Sequence, residues 1–331
     1  MANLTVKYLG LELKSPFLVS SCGLTRTMRG IRQCAAAGAS AVVLESLFEE
    51  QIDSELGVGS AARASSEEIA IHPEAADYLS ELGKTYAPHS YLELIQQARS
   101  ELDIPVIASV NCVSARWWSD YARQIEAAGA DALELNIALM PRQVDHEAAG
   151  LESRIYDIIK GVRDQVSLPI TVKIGPYFTS LPRVIAGITA AGANGVVLFN
   201  RFYQLDIDPE AEELVGGYQF SSEHEIYLPL RWVSILAPQV NCDISASTGV
   251  HSGLAGAKMI LAGANVVQVA SVLYTRKVKH LTTMIEEFDA WMERRGYATV
   301  AEARGHLMQS QTYNPEALER LQYIKALTGA G

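Results

Sequence analysis

The sequence predicts an α/β protein with the fold of a (β/α)8 TIM barrel, and its internal repeats are the main reason. The motif Ala-Gly-Ala occurs at 37–39, 128–130, 191–193 and 262–264, each time after an amphipathic stretch and before a short apolar run. Helices and strands that alternate in this way are typical of parallel sheets. Eight such units over about 280 residues favour a closed barrel. A doubly wound sheet is the alternative fold.

The predicted elements follow one another along the chain. Short apolar runs bounded by turn residues predict buried parallel strands, and the amphipathic stretches between them predict helices. The predicted strands are 17–21, 41–44, 104–110, 132–135, 168–174, 195–199, 243–247 and 265–269. The predicted helices are 27–37, 90–102, 115–128, 147–166, 181–191, 226–238, 252–262 and 276–295.

Glycine and proline mark several boundaries between these elements. The glycine of each Ala-Gly-Ala motif is predicted to end a helix in the left-handed conformation, which costs little without a Cβ atom. Pro105 and Pro169 are predicted to open strands, where the missing N–H does least harm to the sheet.

Further segments surround the predicted barrel. Residues 6–13 are predicted to form an N-terminal hairpin that covers the barrel bottom. Segments 47–89 and 201–225, after strands two and six, are too long for simple turns, and long loops on the catalytic face commonly form lids. No linker or low-complexity segment divides the chain, so residues 1–331 are predicted to be a single domain.

Composition excludes several classes of partner. The 331 residues include 27 Lys and Arg against 38 Asp and Glu, a formal charge of −11, whereas nucleic acids and anionic membranes select surplus positive charge. No apolar run approaches the ~20 residues that span a bilayer, and the N-terminus lacks a signal peptide. The Cys and His spacings match no metal motif. We expect a cytoplasmic protein with a small-molecule substrate, no metal, no nucleic acid and no membrane partner.

Polar residues end nearly every predicted strand, where the working residues of such barrels stand. Helix capping is the alternative explanation and accounts well for Ser, Thr and Asn, but poorly for Lys173 and Glu45. The residues at these ends are Ser21, Cys22, Glu45, Ser46, Asn111, Asn136, Lys173, Asn200, Arg201, Thr248, Gly249, Ala270 and Ser271.

The ends of strands seven and eight predict a phosphate site. Residues 248–253 join a strand to a helix through two glycines, and barrels often hold phosphate between these two loops. The phosphate would belong either to a flavin mononucleotide or to a phosphorylated substrate. Lys173 favours the flavin, because a cation at the barrel mouth stabilises the negative charge of a reduced isoalloxazine.

With these residues in place, the chain resembles the dihydroorotate dehydrogenase family of FMN-containing barrels along almost its whole length. The similar segments are 16–23, Glu-Leu-Asn at 134–136, Val-Lys-Ile-Gly-Pro-Tyr-Phe at 172–178, Asp-Pro-Glu at 208–210, Thr-Gly-Val at 248–250 and the tail 295–305. The resemblance implies hydride transfer between a dihydropyrimidine-like substrate and FMN, and also a homodimer.

The resemblance also implies a set of site residues. Asn111, Asn136, Asn200, Arg201 and Glu45 would face the substrate. The residues implied to hold FMN are Ser21, Cys22, Ser46, Asn111, Asn136, Lys173, Asn200, Thr248, Gly249, Val250, Ala270 and Ser271.

Two residues and two segments depart from the family pattern. Glu45 stands where the family has a lysine beside the substrate, and like charges ~4 Å apart repel by about 4 kcal/mol at an effective dielectric constant of about 20. The loop 137–142 lacks the family's Cys or Ser base, and 47–89 lacks its Asn motif. Arg201 replaces a serine, and three roles are open for it: pairing with Glu45, binding the substrate, or simply pointing to solvent. Poor turnover of dihydroorotate follows from these departures.

Two weak candidates remain for the missing base, Cys22 in strand one and His146 after strand four. Two alternative functions also remain open. The chain would be either a flavin-binding protein without dehydrogenase activity or a flavin-free lyase or isomerase that binds a phosphorylated metabolite.

Overall fold

A computed structural model describes residues 2–48, 88–112, 118–139, 143–201, 205–217, 219–309 and 315–329. The strands are β1 (Val6–Tyr8), β2 (Leu11–Leu13), β3 (Phe17–Val19), β4 (Val42–Val43), β5 (Leu47–Phe48), β6 (Val106–Cys112), β7 (Ala132–Ile137), β8 (Ile170–Ile174), β9 (Gly195–Leu198), β10 (Leu205–Asp208), β11 (Glu213–Gly216), β12 (Asp243–Ser247) and β13 (Val266–Val269). The helices are α1 (Met28–Ala36), α2 (Pro88–Glu101), α3 (Trp118–Ala127), α4 (Ala148–Arg163), α5 (Leu181–Ala190), α6 (Tyr227–Leu236), α7 (Gly253–Ala262), α8 (Ser271–Thr275), α9 (His280–Arg295), α10 (Val300–Ala303) and α11 (Pro315–Thr328).

Eight parallel strand positions close into a barrel, as the sequence predicts. The order around the barrel is β3, β4, β6, β7, β8, β9, β12 and β13, and β13 pairs with β3 through Val267 and Phe17. The apolar strand residues are buried on both faces, since the surrounding helices cover the outside. This closure brings the C-terminal ends of all eight strands to one mouth.

The second barrel strand is interrupted just before the mouth. It pairs with β6 first through β4, where Val43 faces Ile107, and again through β5, where Leu47 faces Val110. Four residue steps on this strand therefore oppose three on β6, which is the geometry of a bulge. The interruption places Glu45 and its neighbour Ser46 outside the regular ladder.

The four Ala-Gly-Ala motifs end helices as predicted. Their glycines Gly38, Gly129, Gly192 and Gly263 have φ angles of +99°, +94°, +110° and +115°, in the left-handed region that a residue without Cβ adopts at little cost. After each of these glycines, the chain turns directly into a barrel strand.

The N-terminal hairpin also forms as predicted and covers the barrel bottom. Strands β1 and β2 pair antiparallel. The fully buried Tyr8 donates a hydrogen bond from its hydroxyl to Thr171 Oγ1 at 3.1 Å, and the Leu9 N–H donates to Asp243 Oδ2 at 2.7 Å. These contacts tie the hairpin to β8 and β12.

Several predicted boundaries were wrong. The predicted helix 276–295 begins only at His280, because Lys277 has a left-handed φ of +69° that separates α8 from α9. The connection 201–225 is not a plain loop: it contains the antiparallel hairpin β10–β11 and a short 3-10 helix, Glu223–Ile226. Of the predicted loop 47–89, residues 49–87 lie outside the described part of the chain. Among the described residues, no helix is both long and apolar enough to cross a membrane.

Helices α7 and α9 pack on the first barrel strand through aromatic contacts. The Phe288 ring lies edge-on to the Phe17 ring, with centroids 5.5 Å apart at 80°, and both side chains are fully buried. A Cβ atom on Gly256 would lie 2.6 Å from the Phe17 ring, so only glycine allows α7 to approach this closely.

Phe288→Ala is expected to lower the free energy of unfolding by about 3–5 kcal/mol, because it removes a buried aromatic ring and leaves a cavity. Urea denaturation followed by circular dichroism measures the change. Leu254→Ala, at an exposed position on α7, is the matched control and should stay within about 0.5 kcal/mol of the parent. Equal effects of the two variants would contradict this assignment of the core.

Candidate functional site

A cavity of about 700 Å³ opens at the C-terminal ends of the barrel strands, and we call it the mouth cavity. Its volume falls within the ~300–1,000 Å³ typical of small-molecule sites. It is lined by Ser20, Ser21, Cys22, Gly23, Glu45, Phe48, Lys173, Phe199, Asn200, Arg201, Phe220, Ser221, Ser247, Thr248, Gly249, Val250, His251, Gln268, Val269, Ala270, Ser271, Val272 and Tyr274. Other cavities lie at the opposite face, around Asp243, Asn265 and Arg304. Residues at that face of a barrel usually contribute to stability and not to catalysis.

Most of the residues singled out in the sequence line the mouth cavity, but Ser46, Asn111, Asn136 and the base candidate His146 do not. Ser46 contacts the cavity wall, with its Oγ 3.1 Å from Ser21 Oγ. Asn136 Oδ1 accepts a hydrogen bond of 2.8 Å from the Nδ2 group of Asn200, which does line the cavity. Asn111 faces Asn136 in the register of β6 and β7. Ser46 and Asn136 thus contact residues that line the cavity.

Lys173 lies at the buried floor of the cavity and is held by groups that the sequence does not point to. Its Nζ donates to Ser20 Oγ at 3.1 Å and lies 3.9 Å from Glu134 Oε1. Gln268 Nε2 donates to Glu134 Oε2 at 2.9 Å. Glu134 and Gln268 were missed as functional candidates, although a charged or amide residue inside a buried apolar strand is itself a signal.

The floor continues as a chain of serine hydroxyls. Ser109 Oγ is 3.5 Å from Glu134 Oε1 and 2.8 Å from Ser46 Oγ, and Ser46 in turn contacts Ser21. The Ser109 N–H donates to the Tyr91 hydroxyl at 2.8 Å. Buried polar groups are stable only when they are hydrogen-bonded, and this chain satisfies them from the barrel interior to the cavity.

The expected salt bridge between Glu45 and Arg201 was wrong. Glu45 forms a two-pronged pair with Arg26 through the guanidinium Nε and Nη2, the second contact measuring 2.8 Å. Arg201 Nε instead donates to Glu225 at 2.8 Å. Each charged group thus finds a partner on its own side of the rim: Arg26 follows the first barrel strand directly, and Glu225 lies in the 3-10 helix after the sixth.

The loop after β12 is shaped to bind an anion. Thr248 and Gly249 have φ angles of +78° and +77°. Within the described residues, the backbone N–H groups of Gly249, Val250 and His251 donate no hydrogen bond. Successive N–H groups in such a turn form a concavity for anions.

The neighbouring start of α7 contributes less to this anion site than the sequence suggests. The Gly253 N–H donates to Glu287 Oε2 at 2.7 Å, and the Ala255 N–H donates to Ser252 Oγ at 3.1 Å. Two donors of the first helical turn are therefore already used. The loop itself, and not the helix N-terminus, offers the open donors.

Residues 220–226, which we call the strap, cover this loop. A Cβ atom on Gly249 would lie 2.2 Å from the Ile226 N atom, so glycine is required for the 3-10 helix to pack there. The Ser221 N–H donates to Ser271 Oγ at 3.1 Å. The Phe220 ring stacks on the Tyr274 ring, with centroids 4.9 Å apart.

Ser221 and His251 form a buried pair that the sequence does not reveal. Ser221 Oγ lies 3.0 Å from His251 Nε2, and both side chains are buried. Burial lowers the pKa of His251, which favours the neutral imidazole. Ser221 belongs to the long connection after strand six, so no local pattern predicts its contact with His251.

The two weak base candidates have different surroundings. Cys22 lines the mouth cavity, and burial raises the pKa of its thiol, so the protonated form is favoured. His146 lies in the turn before α4, where its N–H donates to the Gln143 carbonyl oxygen at 3.2 Å, and it is not among the lining residues. The structure brings only Cys22 to the cavity.

The buried His251 predicts a pH dependence of stability. Because its pKa in the folded protein lies below the ordinary value near 6.5, the unfolded chain binds more protons as the pH falls below that value. The free energy of unfolding is therefore expected to fall between pH 7 and pH 5, and His251→Gln should make this fall shallower. Urea denaturation across this pH range measures the slope. The exposed His224→Gln is the control, and equal slopes for the two variants would refute the expectation.

Comparisons with known proteins place the sequence in a family. The family model described as dihydroorotate dehydrogenase matches residues 79–292. The catalytic subunit of dihydroorotate dehydrogenase B (NAD(+)) from Methanosarcina acetivorans is 26% identical over 313 residues, covering 92% of this chain and 95% of that protein.

Two further relatives match shorter stretches. Dihydroorotate dehydrogenase A (fumarate) from Lacticaseibacillus paracasei is 29% identical over 182 residues, 53% of this chain and 62% of that protein. Chloroplastic dihydropyrimidine dehydrogenase (NADP(+)) from Arabidopsis thaliana is 25% identical over 221 residues, 61% of this chain and 52% of that protein. Since the family model matches more than half of the sequence, the chain belongs to the dihydroorotate dehydrogenase family of oxidoreductases.

Proposed function

We propose that this protein is an FMN-dependent oxidoreductase that acts on a carbon–carbon bond of a small, uncharged dihydropyrimidine-like substrate. The proposal of FMN as the cofactor rests on two features of the mouth cavity, an anion-binding loop and a buried cation. The open N–H groups of Gly249, Val250 and His251 suit a phosphate, and Lys173 lies at the buried floor. The N–H groups and the Lys173 ammonium complement the negative charge of FMN. Ala270 and Ser271 line the cavity beside the loop where its phosphate would lie.

The reaction divides between the cofactor and the chain. A bound FMN would supply the hydride-transfer chemistry at a saturated carbon of the substrate. Lys173 supplies a positive charge at the floor, where negative charge develops. Asn200, held by Asn136, offers an oriented amide to a ring nitrogen or carbonyl. The stacked rings of Phe220 and Tyr274 line the cavity and offer it an apolar surface.

The charges of the rim favour an uncharged substrate. Glu45 is paired with Arg26, Arg201 with Glu225, and Lys173 with Glu134. A carboxylated substrate such as dihydroorotate would have to compete with a protein carboxylate for one of these cations, whereas a neutral pyrimidine ring needs only amide and hydroxyl partners. The same pairing removes much of the repulsion expected from Glu45 alone.

Proton exchange in the proposed reaction falls to Cys22. Its thiol lines the cavity and is favoured in the protonated form by burial, which suits a donor that protonates a substrate carbon in the direction of reduction. The sequence between β7 and α4, residues 138–147, contains no serine or cysteine.

The purified protein is expected to absorb near 450 nm, or to do so after FMN is added, because oxidised flavin is the proposed cofactor. Anaerobic titration should then bleach this band with dihydrouracil or dihydrothymine more readily than with dihydroorotate. A colourless protein that binds no FMN would refute the cofactor and leave the flavin-free lyase or isomerase. A flavin that stays oxidised with every substrate would indicate a binding protein without dehydrogenase activity.

Glu45→Gln is expected to tighten dihydroorotate binding about tenfold, an effect of about 1.4 kcal/mol, because it removes a negative charge from the wall of the mouth cavity. Binding of dihydrouracil should change less than about twofold, since this ring has no carboxylate. Flavin bleaching or inhibition constants measure both affinities. Glu223→Gln, which breaks the exposed pair with Arg276, is the control, and tighter dihydroorotate binding in this control would argue against the assignment.

A further inference from the structure

Glu134 is a fully buried carboxylate inside the barrel that the proposed reaction does not use directly. It lies on β7, where it faces Ser109 of β6 and Thr171 of β8 in the strand register. Its Oε1 is 3.9 Å from Lys173 Nζ. In the part of the chain that the structure describes, no other basic side chain forms an ion pair with Glu134.

A chain of hydrogen bonds runs in one direction from Lys173 to Glu134. Lys173 Nζ donates to Ser20 Oγ, which donates to Gln268 Oε1 at 3.0 Å, and Gln268 Nε2 donates to Glu134 Oε2. An ammonium group only donates and a carboxylate only accepts, so every hydrogen in this chain has one consistent place. An ammonium group at Lys173 and a carboxylate at Glu134 satisfy both ends of this chain.

The other ionisable groups around Glu134 do not balance the charge of Lys173. Tyr8 and Tyr91 are buried nearby, and burial raises the pKa of both phenols, so both stay neutral. An ammonium buried without a counter-charge reverts to the neutral amine, because desolvation penalises the charged form. Glu134 is the carboxylate that lies within ion-pair distance of Lys173 at the floor of the mouth cavity.

We propose that Glu134 is a positioning residue that keeps Lys173 in its charged form and holds its ammonium group at the floor of the mouth cavity. The part of this assignment that concerns flavin rests on the proposed function. The part that concerns the charge of Lys173 does not, because the ion pair and the hydrogen-bond chain exist in the protein alone.

The first test needs no cofactor. Flavin-free protein is treated with limiting acetic anhydride at pH 8, and mass spectrometry of the Lys173 peptide measures the acylation rate, since only the neutral amine reacts. Glu134→Gln is expected to raise this rate at least tenfold.

The matched control is Asp131→Asn. Asp131 is a carboxylate at the opposite end of the same strand region, bound to the Val106 N–H and paired with Arg99. It should change the rate less than twofold. A change of less than twofold in Glu134→Gln would overturn the proposal.

The second test uses the FMN-loaded protein. If Glu134→Gln neutralises Lys173, the reduced flavin loses about tenfold in affinity relative to the oxidised flavin, which lowers the two-electron reduction potential by about 30 mV. An unchanged potential would overturn the role toward flavin. If the protein binds no FMN, the proposed function fails, while the acylation result still decides the assignment of Glu134.

A stability cycle keeps the proposal testable if Glu134→Gln does not fold. Because the damage would then come from an unpaired buried cation, the double variant Glu134→Gln/Lys173→Met should recover most of the lost unfolding midpoint. Glu134→Asp, which keeps the charge, should stay folded with the parent acylation rate within about threefold. A double variant that remains as unstable as the single variant would overturn the proposal.

Discussion

The site depends on one constraint: polar groups buried by the closure of the barrel are stable only when they are hydrogen-bonded. Lys173, Glu134, Gln268 and Ser20 come from four different strands or strand ends, and each is buried by the closure of the barrel. Their hydrogen bonds form a chain in which each donor meets an acceptor. Close packing and low polarity make such a chain costly to leave incomplete, so it locates the charge of Lys173 within narrow limits.

The rim obeys the same constraint in a more polar setting. The bulge in the second barrel strand brings Glu45 to the mouth, and Arg26 meets it from the loop after the first strand. Arg201 pairs with Glu225, which lies in the strap that covers the loop after β12. The charges of the mouth are thus paired within the protein, which leaves hydrogen-bonding groups and the open N–H groups of the loop after β12 for ligands.

Local patterns predicted the elements well because helix ends and strand starts depend on nearby residues. The glycines of the Ala-Gly-Ala motifs adopt left-handed angles wherever a helix must turn back into the barrel, and proline precedes β6 and β8. The hairpin β10–β11 was missed because both strands stay exposed, so no buried apolar run marks the segment. The 3-10 helix beside Gly249 was missed because its position depends on a contact across the rim.

By itself, the sequence determined the barrel, the hairpin at its bottom and most of the residues that line its mouth, because hydrophobic periodicity and turn residues act over short distances along the chain. Only the tertiary structure decided which charges are partners. Ser20 meets Gln268 across 248 positions of sequence, and Glu134 meets Gln268 across 134. Such contacts exist only after β13 has closed on β3, and no local pattern encodes whether Glu45 will pair with Arg26 or with Arg201.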